Sequence, residues 1–587
     1  MLSKHLPKAV LISSASIVTL AFVGIATQSI NWNGVGEKLT ELVEADQEKG
    51  PVSQEVADRL MEAPTVSPVA RPAAEARPRS QGQQTGGLMS LYSGTPSAAP
   101  ALKRATDAML PVAPLPNRER FSSEEPNPLK QVVSDPVSTF SIDVDTASYS
   151  FVRSGLNNGA LPNPDAVRVE EMVNYFDYAY RVPEKGEAPF STSVTVTDTP
   201  WNKHTKLMQI GVQGYKVPIE ELPPQNLVFL IDTSGSMADA NKLPLLQQSF
   251  RLLLSTLRDE DEVAIVTYAG NAGVLLEPTK VADKTHILEK INALTSGGST
   301  AGHAGLKGAY ALAEKMTGEG EQTRVILATD GDFNVGLSDN ESLKRFVADQ
   351  RKQGTALSVL GFGRGNYNDE LMQTLAQNGQ GVAAYIDTLS EARKVLVDQV
   401  VSSISMIAQD VKIQVEFNPA TVAEYRLIGY ETRALKTEDF KNDKVDAGDI
   451  GAGHNVTALY EVTPVGSPAQ KFSDLRYGGQ KNAPDSLNTS FSGELAYVKL
   501  RYKEPGEEQS RLLETPVSAD ANEIPMNETL FAASVAAFGQ LLKGSDYLGN
   551  WSMEDVEKLA SENRGPDRFG YRSEFLNLIR LAQVSER

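Results

Sequence analysis

At residues 232–236 the chain reads Asp-Thr-Ser-Gly-Ser, one carboxylate and two serine hydroxyls within five positions. Asp232, Ser234 and Ser236 are all oxygen donors. Such a set suits a hard divalent cation, with Mg²⁺ first and Ca²⁺ or Mn²⁺ as alternatives, and does not suit zinc or copper. Gly235 allows the tight turn that would bring both hydroxyls to one side. Two more oxygen donors stand further along: Thr300 in Gly297-Gly298-Ser299-Thr300, and Asp330 in Thr329-Asp330-Gly331. Ser and Asp also cap helices, so the five-residue pattern alone does not distinguish a cation site from a cap. Placement does. Asp232 and Asp330 each close an apolar run of strand character, and Thr300 leads into a helical stretch.

The elements that must position these residues alternate between strand and helix. Apolar strand patterns lie at 227–231, 263–268, 274–276, 325–328, 357–360 and 383–386. Helical patterns lie at 243–257, 284–294, 304–316, 338–353 and 369–377, with a last helix from 390 to about 407. Short buried strands joined by amphipathic helices predict an α/β fold with a doubly wound, mostly parallel sheet. The second and third strands are close enough to form a hairpin, which gives one antiparallel edge. In such sheets ligands gather at the carboxyl ends of strands where the strand order reverses. The three candidate loops fall at that rim.

The flanks have a different period. Residues 140–144 alternate like a strand, with Asp145, Thr146 and Ser148 available as caps, and a helix is expected near 167–178. Strands follow at 193–197 and 207–213. Beyond residue 408, Val411, Ile413, Val415 and Phe417 share one strand face, as do Ala496, Val498, Leu500 and Tyr502. The tail is helical, with Phe531, Val535, Phe538 and Leu542 on one stripe and a last helix at 574–581. Neither flank makes a complete sandwich, whereas together they could bury both apolar faces. The α/β unit is then an insertion whose two ends lie close together. The expected organisation is 1–30 leader or anchor, 31–130 linker, 131–225 N-terminal α+β segment, 226–407 α/β domain, and 408–587 a β-rich domain ending in helices.

Composition narrows the function. The 587 residues carry 56 Lys and Arg against 75 Asp and Glu, a net charge of −19. Non-specific nucleic-acid binding depends on basic patches and is not expected. With no Cys and only 5 His, thiol catalysis, disulfides and thiolate or histidine-built zinc sites drop out. Lys4 and Lys8 precede an uncharged run over 9–30, the pattern of a secretion signal or a membrane anchor. The small residues Gly24 and Ala26 suit cleavage, and the run is long enough to span a bilayer, at roughly 20 residues. Either outcome places the chain in the cell envelope, periplasmic or otherwise extracytoplasmic, with an inner-membrane anchor if the segment is retained. Residues 51–128 hold 12 of the 32 prolines and read as a tether, preceded by a short helix at 35–48.

The motif DTSGSM at 232–237 and the TDG at 329–331 resemble the von Willebrand factor type A domain with its metal-ion-dependent adhesion site. The resemblance covers 226–407, about a third of the chain. It implies a Rossmann-like α/β fold in which Ser234, Ser236 and Thr300 touch the metal directly. Asp232 and Asp330 would act directly or through water, and a partner's Asp or Glu would fill the sixth position. The flanking segments FSIDVDTASY at 140–149 and PDAVRVEEMVNYFDY at 164–178 are similar to the N-terminal element of the bacterial YfbK-like family. That family carries a central type A domain and a C-terminal domain, which 408–584 resembles.

Enzyme readings fare less well. Asp143-Val144-Asp145 after a strand invites comparison with haloacid-dehalogenase-like phosphatases, but Ala147 stands where their pattern needs Thr or Val. Capping or local hydrogen bonding is the simpler use, with a second metal as the minority reading. The chain contains no Gly-Lys dipeptide, hence no Walker A loop and no expected nucleotide. Gly361, Gly363 and Gly365 form only a GxGxG fragment, read as a strand-to-helix loop. His303 is the one histidine near the proposed site, with a surface-loop side chain as its default. The acids of 441–449 read as a solvated loop. Ser234, Ser236 and Thr300 are neutral, so a bound ion keeps affinity for an incoming carboxylate, whereas catalysis would need a placed base. The expectation is a non-enzymatic module that binds an acidic residue of a partner protein. An envelope scaffold with a purely structural metal is the alternative, and a metal-dependent hydrolase a distant third.

Overall fold

The computed structural model describes residues 119–585 except 185, 299–301, 332, 334–339, 365–366, 400–404, 474–490 and 492. The leader at 1–30, the helix at 35–48, nearly all of the linker and Thr300 therefore lie outside the described residues.

The N-terminal flank runs through β1 (Lys130–Gln131), β2 (Val137–Ser141), α1 (Ala147–Asn157), α2 (Val169–Asn174), β3 (Phe190–Thr199) and β4 (Asn202–Gly214). The α/β unit follows with β5 (Gln225–Asp232), α3 (Leu243–Thr256), β6 (Glu262–Tyr268), β7 (Ala272–Lys280), α4 (Lys284–Asn292) and α5 (Gly302–Met316). It continues through β8 (Gln322–Thr329), α6 (Asn340–Lys352), β9 (Thr355–Phe362), α7 (Asp369–Asn378), β10 (Ala383–Ile386) and α8 (Leu389–Arg393). The C-terminal flank comprises β11 (Met406–Phe417), β12 (Val422–Ile428), β13 (Gly448–Gly451), β14 (Asn455–Pro464), β15 (Glu494–Lys503) and β16 (Arg511–Ser518). Three helices end it: α9 (Met526–Leu542), α10 (Met553–Glu562) and α11 (Tyr571–Ser585).

The central sheet has the order β10-β9-β8-β5-β6-β7. All pairs are parallel except β6 with β7, the expected hairpin edge. Every residue of β5 is buried, because helices cover both faces. Leu227, Phe229 and Ile231 pack with Leu246 and Phe250 of α3 on one side. Val228 and Leu230 pack with Leu306 and Tyr310 of α5 on the other. The chain leaves β5 toward β6 and later returns on its opposite side as β8. The strand order thus reverses at the carboxyl ends of β5 and β8, where Asp232 and Asp330 stand.

The two flanks share their sheets. One sheet runs β1-β12-β14-β4-β3, so β4 pairs with β14 across the inserted unit. In the other, β11 pairs with β13 over its first half, β2 over its second, and β15. Phe140, Met208, Ile210, Ile413, Val415, Tyr460 and Val498 form one core between these sheets. At the junction a Cβ on Gly214 would lie 2.8 Å from the Ile407 side chain, so the entry and exit of the α/β unit adjoin.

Two local readings change. The last helix of the α/β unit is α-helical to Arg393 and continues as a wider π-helical turn over Lys394–Asp398. Ile407 already belongs to β11, whose alternating apolar residues are satisfied in the sandwich core. Helix α9 is buried on more than a stripe, since Ala532, Ala533, Ala536 and Ala537 are buried beside Phe531, Val535 and Phe538. Small side chains let α2, α10 and the aromatics of α11 approach it closely.

Candidate metal centre

Asp232 ends β5, and Ser234 and Ser236 follow in a tight turn over Gly235–Ala238. Met237 is fully buried in the α3-side core and anchors that turn. The Ser234 backbone N–H donates to Asp232 Oδ1 at 2.8 Å, and the Ser234 and Ser236 hydroxyls lie 3.0 Å apart. Gly235 N–H donates to the Gly298 carbonyl at 3.1 Å, and Gly297 N–H to the Thr233 carbonyl at 2.7 Å. The glycine loop that precedes Thr300 is therefore docked on the Asp-Thr-Ser-Gly-Ser turn. Asp330 follows the last residue of β8, the strand beside β5. The structure brings Asp232, Ser234, Ser236 and Asp330 to one rim, with Gly297 and Gly298 docked beside them; Thr300 lies outside the described residues.

Both carboxylates are almost completely buried. Asp232 Oδ2 accepts from the Tyr268 hydroxyl at 3.2 Å and from the Thr329 hydroxyl at 3.3 Å. Burial pushes the Asp232 carboxyl above the usual range, bonds from Ser234 oppose this, and the nearby Asp330 charge adds to the rise. Asp330 Oδ2 accepts from the Lys242 ammonium at 2.9 Å. Lys242 is the cap residue before α3, and only 5% of its side chain is exposed. Neither Tyr268 nor Lys242 is marked by the spacing of the motif. The apolar pattern of β6 carried Tyr268 only as a strand residue, and Lys242 only as the residue before a helix.

The donor set is oxygen-only, two carboxylates with hydroxyls, and its chemistry fits a hard divalent cation. Among the described residues no group of three or more His, Asp or Glu side chains is placed to hold a metal. Asp232, Ser234, Ser236, Asp330 and, from outside those residues, Thr300 are the side chains that could hold one here.

The other singled-out residues do structural work. Asp143 and Asp145 pair with Arg433 at 2.9 and 3.1 Å. Asp145 also accepts from the Ala383 backbone N–H of edge strand β10, while Thr146 occupies the cap position of α1 without a side-chain bond. The acids of 441–449 are not simply solvated. Asp443 pairs with Arg501, Asp446 with Arg351, and burial pushes the Asp449 carboxyl up to about 7. His303 stands in the first turn of α5 and not in a loop.

Residues 226–399 match the model of the von Willebrand factor type A domain. Residues 402–584 match the one described as "Uncharacterized protein YfbK, C-terminal", and residues 115–209 one described as von Willebrand factor. Over 490 residues the chain is 45% identical to YfbK of Escherichia coli (strain K12), covering 82% of this chain and 84% of that one. The chain belongs to the YfbK family. The family likeness thus extends over both flanks as well as the type A domain. More distant similarity is confined to part of the chain. Inter-alpha-trypsin inhibitor heavy chain H2 of Homo sapiens is 28% identical over 185 residues, 29% of this chain and 19% of that protein. A solved von Willebrand factor type A protein from Catenulispora acidiphila covers 69% of the chain and 91% of its own length at 15% identity and a TM-score of 0.38.

Proposed function

We propose that this YfbK-family protein is a non-enzymatic binding module of the cell envelope. Its type A domain captures an acidic residue of a partner protein at a divalent cation, Mg²⁺ before Ca²⁺ or Mn²⁺. Asp232, Ser234, Ser236, Thr300 and Asp330 would hold that ion. With Asp232 and Asp330 acting partly through water, a cation bound there would keep affinity for an incoming carboxylate, because the hydroxyl ligands cancel none of its charge. The observation that carries this reading is the convergence of oxygen donors at the strand-order reversal, with the Ser234 and Ser236 hydroxyls 3.0 Å apart above a buried Asp232. Asp232 is fixed as an acceptor by Ser234, Tyr268 and Thr329, which favours binding over general-base work. The envelope location rests on the charged-then-apolar pattern of residues 1–30.

The test is crosslinking capture in the native envelope, in Mg²⁺ and in excess chelator, with wild type and Ser236→Ala side by side. Capture that needs both the ion and Ser236 is the expected result. Undiminished capture in chelator would reduce any metal to a structural role and favour a scaffold. Turnover on a hydrolase substrate panel would overturn the non-enzymatic reading, and export unchanged by deletion of residues 1–30 the envelope assignment.

A further inference from the structure

The lysine beside Asp330 is built into the candidate site, and its seat is prepared from two elements. The Lys242 backbone N–H donates to the Asp239 carbonyl at 3.0 Å, which fixes the start of α3 and aims the side chain inward. Its aliphatic stem passes over Gly363, just after β9. Gly363 has φ +72°, and a Cβ there would stand 2.4 Å from Lys242 Cγ and Cε. Gly363 thus leaves the space that the lysine occupies. At the end of that stem the ammonium is 2.9 Å from Asp330 Oδ2. Among the described residues the other charged group within ion-pair reach is Asp239, at 3.9 Å and largely exposed, so the ammonium is directed at Asp330.

The formal charges follow. Among the described buried groups, Asp232 and Asp330 with Lys242 sum to −1, where the two acids alone would give −2. With a divalent ion added the totals become +1 and 0. We infer that Lys242 is a built-in counter-cation of this site, one that weakens its hold on a divalent ion and leaves the loaded site with a positive charge that recruits a carboxylate. The inference rests on the proposed divalent site and adds which residue sets the balance between ion affinity and ligand affinity. A fixed like charge a few ångströms away opposes a doubly charged ion strongly in a buried environment. The same charge attracts an anionic ligand once the ion is in place.

The experiment uses the full chain, with Mn²⁺ alone as the ion probe and acetate as the carboxylate probe. Calorimetric Mn²⁺ titration of wild type, Lys242→Met and Lys242→Arg gives ion affinity. Acetate titration of the Mn²⁺ water-relaxation signal gives carboxylate affinity. Lys242→Met should bind Mn²⁺ roughly tenfold tighter and acetate several-fold weaker. Lys242→Arg, which keeps the charge, should stay near wild type in both. Circular dichroism checks the fold, and Lys242→Gln substitutes if the methionine variant does not fold. Wild-type Mn²⁺ binding with equal or weaker binding by Lys242→Met overturns the inference and leaves the divalent site standing. Mn²⁺ binding by Lys242→Met but not by wild type supports it. No binding by either protein overturns both.

Discussion

Arg153 Nη1 lies 3.1 Å from the carboxylate of Glu574, 421 residues later in the chain. Its guanidinium also pairs with Asp387 and, at 2.8 Å, with Glu391, and donates to the Tyr175 hydroxyl at 3.0 Å. Helix α1, the end of the type A domain and helix α11 therefore meet on one fully buried cation. Removing it leaves three carboxylates without their counter-charge.

Arg153→Met should destabilise the protein by about 3–5 kcal/mol, the usual cost of breaking a buried charge network. Arg153→Lys should also be costly, since an ammonium cannot reproduce the planar fork that serves these partners and the Ser150 hydroxyl. Urea unfolding followed by tryptophan fluorescence measures both. Combining Arg153→Met with Glu391→Gln should cost less than the sum of the two.

An excised type A domain should be less stable than the described protein. Ala147 and Phe151 of α1, with Ala166, share a core with Tyr367, Leu371 and Tyr385. Phe151 lies 5.8 Å from the Tyr385 ring, and Asp145 satisfies an N–H of edge strand β10. A 226–399 fragment exposes that face and edge. Its melting temperature should fall well below that of a 119–585 chain, and Phe151→Ala in the full protein should cost about 3–5 kcal/mol. Equal melting temperatures would show the flank to be dispensable.

Glu170 gives a pH dependence. Burial pushes its carboxyl up to about 8, with Glu431 and Asp143 adding to the rise. The folded protein keeps this proton over a range where the unfolded chain, near 4.5, has lost it. Stability from this group is fully present below about pH 4.5, declines as pH rises, and levels off above about 8. Glu170→Gln should remove up to about 1.4 kcal/mol per pH unit of that decline and make the protein more stable at pH 8. Denaturant midpoints at pH 5 and pH 8 for both proteins decide this.

Ser236→Ala and Thr300→Ala should weaken Mg²⁺ or Mn²⁺ binding and partner capture together, with an unchanged circular dichroism spectrum. Asp232→Ala should do at least as much harm to ion binding, since it removes a carboxylate that balances the ion's charge. Calorimetry alongside pull-down measures both, and intact ion affinity in all three variants would remove these residues from the site.

Local order was readable from the sequence because its causes are local. Apolar runs of strand length between amphipathic helices specify a doubly wound sheet, and Asp232 and Asp330 at the ends of two such runs specify its rim. Alternation at 411–417 specified a strand expected to be half-buried, but Lys412 and Gln414 on its polar face are buried too, bonded to the carbonyls of Asp439 and Thr437. Two incomplete flanks pointed to a shared sandwich, which the pairing of β4 with β14 and β2 with β11 forms.

Tertiary structure alone decided the charge partners. Lys242 meets Asp330 across 88 residues and Arg433 meets Asp143 across 290. No periodicity encodes such a pair, because which lone ammonium or guanidinium meets which carboxylate depends on how separate elements pack. The limit of α8 was settled in the same way: Ile407 suits a helix or a strand locally, and the sandwich core on the far side of the junction gives it to β11.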